Sequence, residues 1–169
     1  MQQLRIKATF AILIALLFST QVFAQDKSGL KWYTDVTEAR NISNKTQKPI
    51  FAFFTGSDWC GWCKRLQAAV FAKPEFQTWA KKNVVLLELD FPRGKQLPEK
   101  IAQQNNELQS FFQVQGFPTV WLCYMQEDKK TKKMNVNALG SLGYPQAAPG
   151  KEAVTFVQNA NDILKNKKQ

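Results

Sequence analysis

A continuous apolar stretch is followed within a few residues by two cysteines that are separated by two residues. The stretch, residues 50–54 (IFAFF), has the length and composition of a strand buried on both faces of a sheet. Residues 55–57 (TGS) turn the chain, and helical sequence is predicted to begin at about residue 58 or 59. Cys60 and Cys63 therefore lie where a buried strand meets the first turn of a helix. This junction predicts a fold in which strands and helices alternate.

The spacing of the two cysteines suits thiol–disulfide exchange. Two intervening residues let the sulfur atoms meet across the first helical turn, so that one thiol can attack a disulfide and the other can resolve the product. The partial positive charge and free N–H groups of a helix N-terminus stabilise a thiolate. Cys60, nearer the helix end, is the expected nucleophile, and Cys63 is the expected resolving thiol. Lys64 and Arg65 either add favourable charge or simply face solvent.

Two other interpretations of the pair are a metal site and a permanent structural disulfide. A closed zinc site needs about four ligands, and the chain offers only Cys123 as a further thiol and no histidine. No metal and no other cofactor is therefore expected, and Cys–His hydrolase chemistry is excluded. A structural disulfide stays open, although closing so short a loop stabilises a fold little. Cys123 is interpreted as a buried core residue, with a regulatory or intermolecular disulfide as the alternative.

The first residues of the chain have the composition of a secretory signal peptide. Arg5 and Lys7 precede an apolar run, and residues 22–24 (VFA) end in the small residue that signal peptidase prefers. The run is shorter than the roughly 20 residues that span a bilayer. We expect cleavage after Ala24, one domain over residues 25–169, and a periplasmic or secreted protein.

The chain is basic, with a formal net charge of +10. Much of the excess lies in two lysine clusters, within residues 129–133 and 165–168, which the pattern places in a turn and at the C-terminus. Such clusters are usually solvated, and no nucleic-acid recognition motif accompanies them. Nucleic acid is therefore not an expected partner, whereas weak attraction to acidic surfaces or proteins fits this charge.

The remaining sequence predicts one α/β layer structure. Strands are predicted over residues 31–33, 50–54, 84–91, 119–125 and 135–142. Helices are predicted over residues 35–45, from 58 or 59 to 73, 75–81, 98–112 and 151–165. The order of these elements predicts a central mixed sheet of about four to five strands flanked by helices. The last two strands, joined by a short turn, are expected to be antiparallel.

Two separated motifs resemble those of the thioredoxin superfamily. Residues 59–64 (WCGWCK) follow a buried strand, and residues 116–119 (GFPT) precede a later one. Residues 48–49 (KP) and 90–92 (DFP) are similar to those of exported thioredoxin-like, or thioredoxin-related, proteins. The resemblance covers about residues 31–165 and implies a thioredoxin-like fold with a redox-active Cys60–Cys63 disulfide.

The resemblance also implies which residues contact the substrate. Pro118 is expected to be a cis proline that faces the cysteine pair. The backbone beside this proline binds an extended substrate segment in the family, which makes Phe117 and Thr119 candidate substrate contacts. Further predicted contacts lie in the cysteine loop, at Trp59, Gly61 and Trp62.

Two departures from thioredoxin bear on the chemistry. Thioredoxin has Gly-Pro between its cysteines, whereas this chain has Gly61-Trp62, so the reduction potential of thioredoxin does not carry over. The strand over residues 50–54 also lacks the buried acid that accepts the proton of the inner cysteine in thioredoxin. Glu88 is a tentative substitute, because it interrupts an apolar strand; the alternative is a carboxylate that faces solvent. Burial of Glu88 is expected to raise its pKa.

These observations predict an exported thiol–disulfide oxidoreductase that reduces or exchanges disulfides in protein or peptide substrates. An oxidising compartment then requires a membrane-linked thiol electron donor, because the sequence contains no nucleotide or flavin motif. The alternative is a peptide- or protein-binding module of the same fold, in which the Cys60–Cys63 disulfide is only structural.

Overall fold

The computed structural model describes residues 29–128, 130, 131 and 133–166. The predicted signal peptide, residues 1–24, lies outside the described residues, as does the predicted start of the mature domain at residue 25. No helix in the described part of the chain is both long enough and apolar enough to cross a membrane.

Five strands form one mixed sheet, which confirms the predicted fold class. The strands are β1 (Trp32–Tyr33), β2 (Ile50–Thr55), β3 (Val85–Asp90), β4 (Thr119–Glu127) and β5 (Met134–Leu142). Their order across the sheet is β1-β3-β2-β4-β5. Strands β1, β3 and β2 are parallel, whereas β4 is antiparallel to both β2 and β5. Because β2 and β4 are antiparallel neighbours, the last residues of β2 lie beside the first residues of β4, at the same end of the sheet.

Within the described residues, five α-helices cover the two faces of this sheet. They are α1 (Val36–Thr46), α2 (Gly61–Leu66), α3 (Pro74–Asn83), α4 (Glu99–Phe111) and α5 (Glu152–Asn166). Buried side chains of α2, α3 and α5 pack on one face. Buried side chains of α1 and of the residues that follow α4, Phe112 and Val114, pack on the other. This arrangement buries the central strand on both sides, as its apolar sequence predicted.

Alternation along β2 divides the core into two halves. Phe51 and Phe53 point to the face covered by α2, α3 and α5, whereas Ile50, Ala52 and Phe54 point to the face covered by α1 and α4. All five side chains are buried. A strand with both faces buried is a rigid support, and the cysteine loop is attached directly to its end.

Helix α2 begins later than the sequence predicted. Asp58 does not cap it, because the Asp58 carboxylate accepts hydrogen bonds from the backbone of Arg93 and Gly94. Cys60 is the N-cap instead, and the first helical residue is Gly61. The predicted start at residue 58 or 59 was therefore two to three residues too early.

The predicted continuous helix after the cysteines also changes its geometry. A π-helical turn over Gln67–Phe71 follows α2, and the N–H of Ala72 donates to the carbonyl of Gln67 at 2.8 Å. Turns of this kind widen a helix by one residue. No proline or glycine marks this position, so the sequence carried no local sign of it.

Candidate active site

Cys60 and Cys63 form a disulfide at the N-terminal end of α2. Their Cα atoms are 5.3 Å apart. Cys63 is fully buried, whereas Cys60 keeps 5% of its surface exposed. An incoming group can therefore reach only Cys60 without movement of the surrounding chain. The difference agrees with the predicted roles of Cys60 as the nucleophile and Cys63 as the resolving thiol.

The backbone around Cys60 is arranged to stabilise negative charge on its sulfur. The N–H of Cys63 donates to Cys60 Sγ at 3.2 Å. Cys60 itself is held by its own N–H, which donates to the Gly56 carbonyl at 2.8 Å. In the reduced state, the same Cys63 N–H and the helix end favour a thiolate at Cys60.

The loop that contains Pro118 lies at the same end of the sheet as the disulfide. The peptide bond between Phe117 and Pro118 is cis. Thr119, the first residue of β4, lies opposite Phe54 of β2, close to the point where the cysteine loop leaves the sheet. The Thr119 hydroxyl donates to the Gly116 carbonyl at 2.7 Å, which closes the turn before the strand.

Trp59 connects the cysteine loop to its surroundings. Its indole N–H donates to the Phe91 carbonyl at 2.7 Å, and its ring lies 5.9 Å from that of Phe117. The ring covers Gly56 so closely that a Cβ added there would lie 2.4 Å from a ring atom. Glycine is therefore the residue that allows Trp59 to lie beside Phe117, a predicted substrate contact.

Trp62 and Gly61 form the outer rim of the cysteine loop. Trp62 is 55% exposed, and its ring packs against that of Tyr144 at 5.2 Å. Gly61 is also exposed, and a Cβ added to it would meet no atom within 4 Å. The structure thus places Trp59, Gly61 and Trp62 around the disulfide. Their role as substrate contacts stays a prediction.

Asp90, at the end of β3, is a site residue that the sequence analysis missed. Its carboxylate accepts hydrogen bonds from the N–H of Ser57 at 2.8 Å and from the Ser57 hydroxyl at 2.7 Å, and it forms an ion pair with Lys95 at 3.2 Å. Asn105 of α4 donates to the Asp90 carbonyl. These contacts fasten the start of the cysteine loop to the neighbouring strand. Residues 90–92 (DFP) were noted only as a pattern, because their partner lies 33 residues away.

Asp58 performs a similar task one residue further along the loop. The N–H groups of Gly94 and Arg93 donate to its carboxylate at 2.6 Å and 3.1 Å. These hydrogen bonds, of which the one from Gly94 has the larger effect, lower the pKa of Asp58 below its usual range. The ionised carboxylate therefore links the loop after β2 to the loop after β3.

Comparisons with known proteins agree with this geometry. A model of the thioredoxin-like family matches residues 31–123. The disulfide bond reductase DsbH of Chlamydia pneumoniae is 35% identical over 117 residues, which are 69% of each chain. The chain belongs to the thioredoxin-like family. The fold and the paired cysteines at its active-site position make it a thiol–disulfide oxidoreductase.

Further relatives of the thioredoxin-like family show how far the likeness extends. The thioredoxin-related protein DsbJ of Chlamydia pneumoniae is 24% identical over 165 residues, which are 98% of this chain but only 46% of DsbJ. The solved structure of a DsbH oxidoreductase has a TM-score of 0.66 at 29% identity and covers 80% of this chain and 85% of that one. A thioredoxin from Thermus thermophilus, with a TM-score of 0.55 at 15% identity over 80% and 87% of the two chains, shows the shared fold alone.

Cys123, the third cysteine of this thioredoxin-like chain, lies in the core. It is fully buried in β4, opposite Ile50 of β2. Burial raises the pKa of the Cys123 thiol to about 12. A thiol that stays protonated in an apolar core is a poor nucleophile. The structure therefore favours the interpretation of Cys123 as a core residue over a regulatory role.

Glu88, the tentative proton acceptor, is half-buried on β3. It lies opposite Phe53 and lines a cavity of about 300 Å³ together with Trp32, Gln67 and Phe71. Cys63 is not among the residues that line this cavity. The pKa of Glu88 is raised, mainly because the carboxylate has lost solvent and to a smaller extent because of the negative charge of Asp90. The expected direction of the pKa change is thus present, whereas a direct contact with the inner cysteine is not.

Replacing Glu88 with glutamine is expected to stabilise the fold at pH 7. The pKa of Glu88 is raised in the folded state. Above about pH 4.3, the usual pKa of glutamate, the folded protein therefore binds more protons than the unfolded one. The free energy of unfolding then falls as pH rises through the folded-state pKa of Glu88. Glutamine has no such charge. Urea unfolding across pH 3 to 8 should therefore show a higher midpoint for Glu88→Gln at neutral pH and equal midpoints near pH 3.

Glu107 of α4 provides the matched control for this comparison. It is an exposed glutamate, and Glu107→Gln should follow the pH dependence of the unmodified protein. If the unfolding midpoints of Glu88→Gln and of the unmodified protein differ by the same amount at every pH, the raised pKa of Glu88 is not the cause of the difference.

Proposed function

We propose that this thiol–disulfide oxidoreductase is an exported reductase of disulfides in proteins or peptides. The observation that carries the proposal is the position of Cys60. Its sulfur caps α2 and accepts the N–H of Cys63, and Cys60 is the more exposed of the two cysteine residues. Similarity to the disulfide bond reductase DsbH supports the direction. The predicted signal peptide supports export to the periplasm or beyond.

The proposed reaction moves two electrons and two protons from the protein to the substrate. The Cys60 thiolate attacks one sulfur of the substrate disulfide, so that a bond between Cys60 and the substrate forms as the substrate disulfide breaks. The departing substrate thiolate takes up a proton. The Cys63 thiol then loses its proton and attacks Cys60 Sγ, which forms the Cys60–Cys63 disulfide and releases the second substrate thiol.

The substrate segment is proposed to lie beside Pro118 in extended form, in contact with Phe117 and Thr119. Their position at the start of β4, next to the cysteine loop, supports this arrangement. Glu88 is proposed to accept the proton of Cys63 through intervening water, because Cys63 does not line the cavity that holds the Glu88 carboxylate. The Glu88→Gln variant also tests this role, because loss of the acceptor should slow the resolving step, and unchanged single-turnover rates would reject it.

Continued turnover requires that the Cys60–Cys63 disulfide be reduced again. The proposed source is a membrane-linked thiol electron donor, since an oxidising compartment offers little free reductant. One thiolate of the donor attacks Cys60 Sγ and displaces Cys63, and a second donor thiol then attacks the donor sulfur of this mixed disulfide. The donor leaves oxidised as a disulfide, and Cys60 and Cys63 take up protons as the dithiol.

The reduction potential of the Cys60–Cys63 pair is the measurement that tests this function. Trp59 precedes Cys60 and Trp62 lies between the two cysteines, so their fluorescence should change on reduction in thiol buffers of set potential. We expect a potential on the reducing side of the range, because a reductase must give up electrons readily; a value near that of thioredoxin, about −270 mV, would support the proposal. A variant with both cysteines replaced by serine provides the baseline, since its fluorescence should not respond.

The two other outcomes each contradict the proposal. A potential near about −120 mV is that of an oxidant, and it would reverse the proposed direction. If the Cys60–Cys63 disulfide is not reduced at any potential, the disulfide is structural and the chain is a binding module.

A further inference from the structure

Two pairs of arginine and aromatic side chains flank the disulfide. The Arg93 guanidinium carbon lies 3.9 Å from the centre of the Trp59 ring. The Arg65 guanidinium carbon lies 5.1 Å from the Trp62 ring and 5.6 Å from the Tyr144 ring. Arginine stacked on an aromatic ring keeps its N–H groups free for other partners. Both arginines are exposed, so their guanidinium groups are accessible to a binding partner.

Each pair connects the cysteine loop to the residues around Pro118. Trp59 packs against Phe117, which immediately precedes the proline. On the other side, a Cβ built on Gly143 would lie 3.9 Å from the Pro118 carbonyl, and the next residue, Tyr144, packs against Trp62. A chain segment that reaches Cys60 along Pro118 must therefore pass beside both pairs.

Neither guanidinium has a carboxylate partner within the described part of the chain. The ion pairs formed there involve other cations: Arg40, Lys95, Lys100 and Lys165. A stacked guanidinium without a carboxylate is an unused binding group, since its planar N–H groups match the two oxygens of a carboxylate.

The acidic groups of the site are already engaged. Asp90 binds Ser57 and Lys95, and the Asp58 carboxylate accepts the backbone N–H groups of Arg93 and Gly94. Cationic side chains therefore dominate the outward surface around the disulfide. Such a surface attracts acidic segments and disfavours basic ones.

We propose that the substrates are disulfide-bonded polypeptide segments with aspartate or glutamate close to the attacked cysteine, and that Arg65 and Arg93 bind those carboxylates. The inference rests on the proposed reductase function and names its substrate class. The aromatic rings of Trp59, Trp62 and Tyr144 hold the two guanidinium groups in place and so reduce the entropy lost on binding. Arginine serves here better than lysine because it can stack and bind a carboxylate at once.

Three matched peptides test the preference. They share one disulfide and differ only in the two residues beside the attacked cysteine, which are both glutamate, both glutamine or both lysine. With dithiothreitol as the electron source, kcat/KM should be about tenfold higher for the glutamate peptide than for the glutamine peptide, and lowest for the lysine peptide. The difference should shrink in 0.5 M salt, because exposed charges are then screened.

Variants assign the preference to the two arginines. Arg65→Gln and Arg93→Gln should each reduce the glutamate-to-glutamine ratio about threefold, and the double variant should bring it close to one. Arg65→Lys and Arg93→Lys, which keep the charge, should retain part of the ratio. Lys82→Gln removes a positive charge from α3, away from the site, and should leave the ratio as in the unmodified protein.

The outcomes separate this inference from the function on which it rests. Reduction of all three peptides at equal rates would overturn the substrate preference and leave the reductase function standing. A ratio that persists in the double variant would equally overturn the role of the arginines. Failure to reduce any peptide, the glutamine peptide included, would overturn both proposals.

Discussion

Replacing Cys63 with alanine is expected to arrest the protein as a covalent complex with its substrate. Cys60 still attacks, because it is the more exposed of the two cysteines and the N–H at position 63 is kept. The complex then persists, since no second thiol is placed to attack Cys60. Electrophoresis without reductant and intact mass measurement should show one substrate chain bound per protein, and reductant should release it.

The companion variant Cys60→Ser is expected to lose turnover by at least about 1,000-fold, the scale of loss when an enzyme nucleophile is removed. It should form no substrate adduct, because Cys63 is fully buried. Cys123→Ala is the control, since this thiol lies in the core and its pKa is raised to about 12. If Cys60→Ser forms an adduct through Cys63, Cys63 is the nucleophile and the two assigned roles are wrong. If all variants turn over at the same rate, the cysteines take no part in the reaction.

The parts of the site that sequence predicted well are those set by local pattern. A run of apolar residues over 50–54 can form a strand buried on both faces, and the cysteine spacing places both sulfurs at one helix end. Both features appear in the structure, as does the mixed five-stranded sheet. In each case the relevant residues are neighbours in the chain, so periodicity and spacing carry the information.

The parts that escaped prediction depend on contacts between distant residues. Asp90 holds Ser57 across 33 residues, and Arg93 stacks on Trp59 although the two belong to different loops. Nothing in the local sequence of either loop announces its partner. Glu88 illustrates the same limit, because its burial depends on the cavity shared with Trp32 and Phe71. The geometry of the site therefore depends on how two loops meet at the end of the sheet.

Replacing Phe51 with alanine is expected to cost about 3–5 kcal/mol of stability, the usual range for a buried phenylalanine. Phe51 is fully buried in β2, the central strand of the sheet. Its ring centre lies 5.5–6.3 Å from those of five other aromatic side chains: Trp32, Phe71, Phe76, Trp79 and Phe156. These rings belong to several helices and to β1, so they cannot all close the cavity that alanine leaves. Urea unfolding followed by circular dichroism measures the loss.

Two further variants keep this prediction testable if Phe51→Ala does not fold, since its cost approaches the total stability of a small domain, about 5–15 kcal/mol. Phe51→Leu leaves a smaller cavity and should cost less than Phe51→Ala. Phe111→Ala removes a ring of the same size that is 55% exposed, and it should change stability by less than about 0.5 kcal/mol. Equal losses in Phe51→Leu and Phe111→Ala would contradict the central place of Phe51. Phe51 and Cys63 belong to the same half of the core. If folded Phe51→Leu keeps the reduction potential of the unmodified protein, this half of the core stabilises the active site but does not determine its reduction potential.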